Sequence, residues 1–144
     1  MSGRRVVLDT NVLVSALLNS FGPPARVLDL ALTGELVVAY DDRVLSEWRE
    51  VLGRGKFGFS SADVGSLLAL IEGEGLGISP PHLGVDLPDR DDLPFLEVAR
   101  EAGATLVTGD TKHYPPDLRR GVEVIGPAEF LEGWVSEGGQ DENT

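Results

Sequence analysis

Apolar residues along this chain fall in short runs divided by polar, glycine- or proline-marked breaks, and the runs are of two kinds. Residues 5–8 carry Val6, Val7 and Leu8 without polar alternation, as a strand buried on both faces does. From Asn11 to Leu18 the apolar positions Val12, Leu13, Ala16 and Leu17 share one helical face, and Asn19-Ser20-Phe21-Gly22 breaks it. Pro23-Pro24 opens a second predicted helix through Thr33, with Gly34 as its stop. Glu35 to Tyr40 reads as a second strand. Asp41 or Asp42 caps a third helix ending at Leu52 before Gly53.

Ser60, Ser61 and Asp63 open a fourth helix carrying Val64, Leu67, Leu68 and Ile71. Residues 73–91, rich in glycine and proline, form the longest irregular stretch. A fifth helix spans Asp92 to Gly103, a third strand Thr105 to Thr108, and a fourth Val122 to Ile125. Pro127 starts the last helix, with Phe130, Leu131 and Trp134. Strands alternating with helices predict an α/β fold with a mostly parallel sheet covered on both faces. Residues 1–135 read as one domain, and the polar stretch 136–144 as a frayed tail.

Within this pattern four acids stand out. Asp9 closes the first apolar run, and Asp110 closes Leu106-Val107-Thr108 through Gly109. Carboxylates at the carboxyl ends of buried strands lie at the ligand-binding edge of an open α/β sheet. Glu47 projects roughly 40° outside the stripe formed by Val44, Leu45, Trp48, Val51 and Leu52, a direction from which it can reach across that edge. Asp92 opens the fifth helix, whose buried face holds Phe95, Leu96, Ala99 and Ala102; Asp89 and Asp91 crowd the same turn. Taken singly, Asp9, Asp92 and Asp110 read as helix caps and Glu47 as a solvated boundary residue. Gathered at one edge they would repel one another and call for protons or a hard cation. Thr10, Asn11 and Thr108 are small polar neighbours able to orient a carboxylate or a bound water.

Composition narrows the chemistry. The absence of cysteine excludes disulfides, zinc–thiolate sites and thiol nucleophiles. No glycine pattern forms a phosphate loop or a dinucleotide turn. Neither His82 nor His113 has a partner at metal-ligand spacing, and Ser15 and Ser46 lack an activating histidine. No apolar run is long enough for a membrane span, and Met1-Ser2-Gly3-Arg4-Arg5 does not open a signal peptide, so a cytoplasmic protein is expected. A net charge of −12 disfavours tight, extended nucleic-acid binding but admits an enzyme that meets phosphate through metals and a few arginines. Arg43, Arg49, Arg54 and Lys56 form a small basic group near the third helix, in the ordinary case a solvated face and here also able to meet backbone phosphate.

The order of motifs resembles the PIN-domain family. It runs from Asp9-Thr10-Asn11-Val12-Leu13-Val14-Ser15 through Leu45-Ser46-Glu47-Trp48-Arg49-Glu50 and Asp92 to Thr108-Gly109-Asp110. The 18-residue step from Asp92 to Asp110 and the closing Gly126-Pro127-Ala128-Glu129-Phe130-Leu131 add to the match. It is nearest to the toxin components of toxin–antitoxin systems related to the VapC-type ribonucleases. The resemblance implies a three-layer α/β/α sandwich and cleavage of RNA with magnesium or manganese. It maps the family's four acidic positions, both metal-binding and catalytic, onto Asp9, Glu47, Asp92 and Asp110. Asp92 is preferred to Asp89 and Asp91 because it stands three residues before Phe95 and seven before Ala99, as in the family pattern. An RNA substrate and a cognate antitoxin protein are the implied partners, with no membrane and with a homodimer left open. The competing readings are a catalytically silent PIN-like module that binds proteins, and a receiver- or phosphatase-type phosphoryl-transfer domain. Asp9-Thr10-Asn11 offers only one of the two acids that the latter require.

Overall fold

The computed structural model describes residues 3–136. Its strands are β1 (Arg4–Leu8), β2 (Leu36–Tyr40), β3 (Leu76–Gly77), β4 (Thr105–Val107) and β5 (Val124–Ile125). They form one sheet in the order β3-β2-β1-β4-β5, every pair parallel. The helices are α1 (Thr10–Leu18), α2 (Pro23–Leu32), α3 (Asp42–Leu52), α4 (Ser61–Glu74), α5 (Leu93–Ala102) and α6 (Pro127–Ser136). Helices α2 and α4 pack on β2, α5 packs across β1, β2 and β4, and α6 packs on α2. Val6, Val7 and Leu8 are wholly buried, as the unbroken apolar run requires of a central strand covered on both faces.

The alternation of elements is as predicted, with three differences. Helix α4 continues to Glu74, and β3 follows where the sequence reads as irregular. β3 has only two residues, too few to show a period. Gly75 makes the join. A Cβ there would stand against the carbonyl oxygens of Val38 and Ile71, so only glycine lets the chain turn from α4 onto the sheet. Residues 90–92 form a 3-10 turn ahead of α5, and further 3-10 turns cover 55–57, 111–113 and 116–118. Of the predicted frayed tail, Ser136 closes α6 and 137–144 lie outside the described residues.

Strand order fixes where a ligand can sit. The chain leaves β1 toward β2 and β3, then crosses to β4 on the other side of β1, so the topological switch lies between β1 and β4. Leu8 is in register with Val107, which sets Asp9 beside Thr108 at the carboxyl edge of that switch. The Asp9 amide continues the ladder by donating to the Val107 carbonyl (3.0 Å).

Candidate active site at the switch point

Asp9, Asp92 and Asp110 all occupy helix-start positions, ahead of α1, α5 and the 3-10 turn at Thr111, and none makes a side-chain capping bond. Elsewhere the chain caps in the ordinary way. Asp41 accepts from the Val44 amide, Ser60 from Asp63, and Asp89 from Asp91. The capping explanation therefore covers Asp41 and Asp89 but not these three acids.

Asp9 and Asp92 lie in each other's field instead, and Asp110 is joined to Asp92 through the His113 ring. Asp9 is buried, and its Oδ2 accepts from the Thr108 hydroxyl (2.8 Å) and the Tyr114 phenol (3.1 Å). Burial pushes the Asp9 carboxyl above its ordinary range, and those two hydroxyls partly offset the rise. The Thr108 hydroxyl is fully committed. While donating to Asp9 it accepts from the Asp110 amide (3.0 Å) and the Asn11 amide group (3.5 Å). Asn11 Oδ1 in turn accepts from the Gly109 amide (3.0 Å). Thr108 and Asn11 thus tie the end of β1 to the end of β4.

Asp92 is the most perturbed acid. Burial, then the charges of Asp9 and Asp89, push its carboxyl up to about 7, while His113 pulls the other way. Among the described residues its Oδ2 is the one buried side-chain oxygen or nitrogen with no hydrogen-bond partner. His113 Nδ1 lies 3.2 Å away, and the same ring reaches Asp110 Oδ2 through Nε2 at 3.0 Å. Asp91 is exposed and Asp89 is occupied as a cap, and of the three neighbouring acids it is Asp92 that lies in the field of Asp9.

Glu47 joins from α3. The Trp48 indole donates to the Leu8 carbonyl (3.1 Å), pinning the helix to the last residue of β1. Glu47 is half-buried, and its Oε2 accepts from the Thr10 hydroxyl at 3.4 Å. Burial raises its carboxyl, with the charges of Asp91, Glu50 and Asp9 adding and Thr10 subtracting. Glu47 thus lies within the field of Asp9, while Asp110 connects to the cluster through Thr108 and His113. Among the described residues, no three His, Asp or Glu side chains already stand together in a spacing that would grip one ion.

Sequence reasoning missed three participants. His113 does have partners, contrary to expectation. A 3-10 turn repeats every three residues, so position i+3 returns to the face of Asp110, and that spacing was the available signal. Tyr114 is wholly buried, with its phenol driven upward by burial and by Asp9 and Asp92, so it stays a donor. Nothing in the local pattern marks it. Glu97, also buried, accepts from Arg43 (2.8 Å), the Leu83 amide (2.9 Å) and His82 (3.1 Å). Burial alone would raise its carboxyl, but those partners hold it below the ordinary range. This contact ties α3 and the loop before Asp92 to α5. It also revises the basic group: Arg43 is engaged by Glu97 and Asp41, Arg54 by Glu50, and Lys56 lies over Phe57.

Residues 5–112 match the sequence profile of the PIN domain, and the chain belongs to that family. It is 30% identical over 115 residues to the uncharacterized protein MJ1680 of Methanocaldococcus jannaschii, an alignment covering 74% of this chain and 70% of that protein. The fold is similar to that of VapBC2 from Rickettsia felis, solved with a DNA fragment from the promoter. There the TM-score is 0.57 at 19% identity, covering 85% of this chain and 98% of the other. It is likewise similar to VapBC-1 from nontypeable Haemophilus influenzae (TM-score 0.57, 14% identity, 86% and 98% covered). Among the described residues no helix is long and apolar enough to cross a membrane.

Proposed function

We propose that this PIN-domain protein is a magnesium- or manganese-dependent endoribonuclease, the toxin of a toxin–antitoxin pair acting in the cytoplasm. One observation supports the reading: at the switch point three helix-start acids make no side-chain cap, and Asp92, in the field of Asp9, keeps a buried oxygen without a hydrogen-bond partner. Hard carboxylate oxygens, with Asp92 pushed up to about 7 by burial and then by the charges of Asp9 and Asp89, suit a hard divalent cation. Asp9, Asp92 and Asp110 would hold it, and Glu47 would ligate or orient the attacking water. A bound cation supplies charge neutralisation at the phosphate and activation of that water.

The chain's own residues do the rest. Thr108 and Tyr114 fix the Asp9 carboxylate in one orientation, so it need not reorganise when the cation or substrate arrives. Thr10 steadies Glu47, and Asn11 fixes the Gly109 turn that presents Asp110. Lys112 and Arg90, each two residues along the chain from a site acid, are exposed in a chain of net charge −12. Substrate binding should therefore be weak, with a shallow salt dependence set by few phosphate contacts. The antitoxin reading is supported by the fold shared with the two VapBC proteins.

The test is cleavage of end-labelled single-stranded RNA. Products should appear with Mg²⁺ or Mn²⁺, vanish with EDTA, and vanish in Asp9→Asn while RNA binding in Ca²⁺ is retained. Cleavage that persists in EDTA and in Asp9→Asn would overturn the proposal.

A further inference from the structure

Resting on that reading, we propose that His113 competes with the cation. Its imidazole fills the gap between Asp92 and Asp110 and must swing out before both carboxylates can serve one ion. The ring places Nδ1 3.2 Å from Asp92 Oδ2 and Nε2 3.0 Å from Asp110 Oδ2, one nitrogen toward each acid. Two oxygens that share a magnesium ion at roughly 2.0–2.1 Å lie within about 4 Å of each other, which leaves no room for a ring between them. This accounts for a site with the right donors in which no three groups are yet closed around one point.

The surroundings separate a swinging competitor from a fixed ligand. The backbone under His113 is fastened: Tyr114 donates to Asp9, and Arg119 donates to the carbonyls of Tyr114 (2.7 Å) and Thr111 (3.5 Å). The His113 side chain itself is 44% exposed. It can leave by rotation about its own side-chain bonds, without moving the turn or opening the core. Imidazole is also a poor ligand for a hard ion such as Mg²⁺. In the metal-free protein the same ring lies against both acids, so removing it frees the site for the ion. Local Mg²⁺ then decides whether the site is closed by histidine or assembled around metal.

The test is Mn²⁺ binding followed by electron paramagnetic resonance of the free ion, on wild type, His113→Ala and Asp9→Asn. His113→Ala should bind about threefold to tenfold tighter than wild type, the gain from two partly exposed contacts that no longer have to break. Asp9→Asn should bind more weakly than either. In a Mg²⁺ titration by NMR, the His113 ring resonance, assigned by its loss in His113→Ala, should move toward that of a solvated imidazole at the same midpoint as binding. Equal binding in His113→Ala sinks the competition, and weaker binding would make His113 a ligand; both leave the metal-dependent reading standing. Binding by neither protein removes the competition and that reading together.

Discussion

Replacing Asp92 by asparagine removes the acid that the site strains most, and its effect on the metal-free protein can be worked from the structure. The Asp92 carboxyl rises from 3.8 to about 7 through burial and the charges of Asp9 and Asp89. At about 1.4 kcal/mol per pKa unit, the whole interval sets an upper bound of about 4 kcal/mol. The nearby His113 ring and the 13% exposure of the side chain reduce it to about 1–2 kcal/mol. The sign follows from the raised folded-state value. Stability from Asp92 is fully present below about 3.8 and is lost as pH rises through about 7. In EDTA at pH 8, Asp92→Asn should therefore melt above wild type by roughly 3–7 °C. The gap should shrink to about a third near pH 4, close to the ordinary value of 3.8, where folded wild type holds the proton. Millimolar Mg²⁺ should reverse the order by stabilising wild type. Thermal melts by circular dichroism at the two pH values decide it. An Asp92→Asn protein no more stable than wild type at pH 8, or a gap independent of pH, would refute the crowded-acid reasoning.

Three further outcomes are expected. Tyr114→Phe removes one of the two hydroxyl donors to Asp9, so the Asp9 carboxyl should titrate higher by NMR while the melting temperature falls by only a few degrees. Glu97→Ala leaves Arg43 and the Leu83 amide without their acceptor and should cost about 2 kcal/mol in urea unfolding, discounted for the exposure of Arg43. Protection of the Leu83 amide from hydrogen exchange should fall with it. Gly75→Ala drives a methyl against two carbonyl oxygens and should cost about 2 kcal/mol or more, whereas Gly65→Ala on α4, with open space around it, should be neutral or mildly stabilising.

Much of this architecture is written locally in the chain. Val6-Val7-Leu8, the Asp41 and Ser60 caps, and the stripe from Val44 to Leu52 each state their element within one or two turns. The two strand-end acids follow, because a parallel strand that ends in a carboxylate delivers it to the sheet edge. The legible part ends where pairing is long-range. β3 is defined by its partner β2 rather than by its two residues. Tyr114 matters because a loop returns it 105 positions back along the chain to Asp9. Glu97 looks like a surface residue on an amphipathic helix, and only Arg43 and the 82–83 loop, packed against it, make it a buried acceptor.

The central claim is that Asp9, Asp92 and Asp110 share a cation at the switch between β1 and β4. A crystal soaked in Mn²⁺ and measured at the manganese edge tests it most directly. The account predicts one or two anomalous peaks among the carboxylates of Asp9, Asp92 and Asp110, with Glu47 facing them directly or through water and His113 turned away. An anomalous map with no peak there, or with its only peaks on surface acids elsewhere, would contradict it.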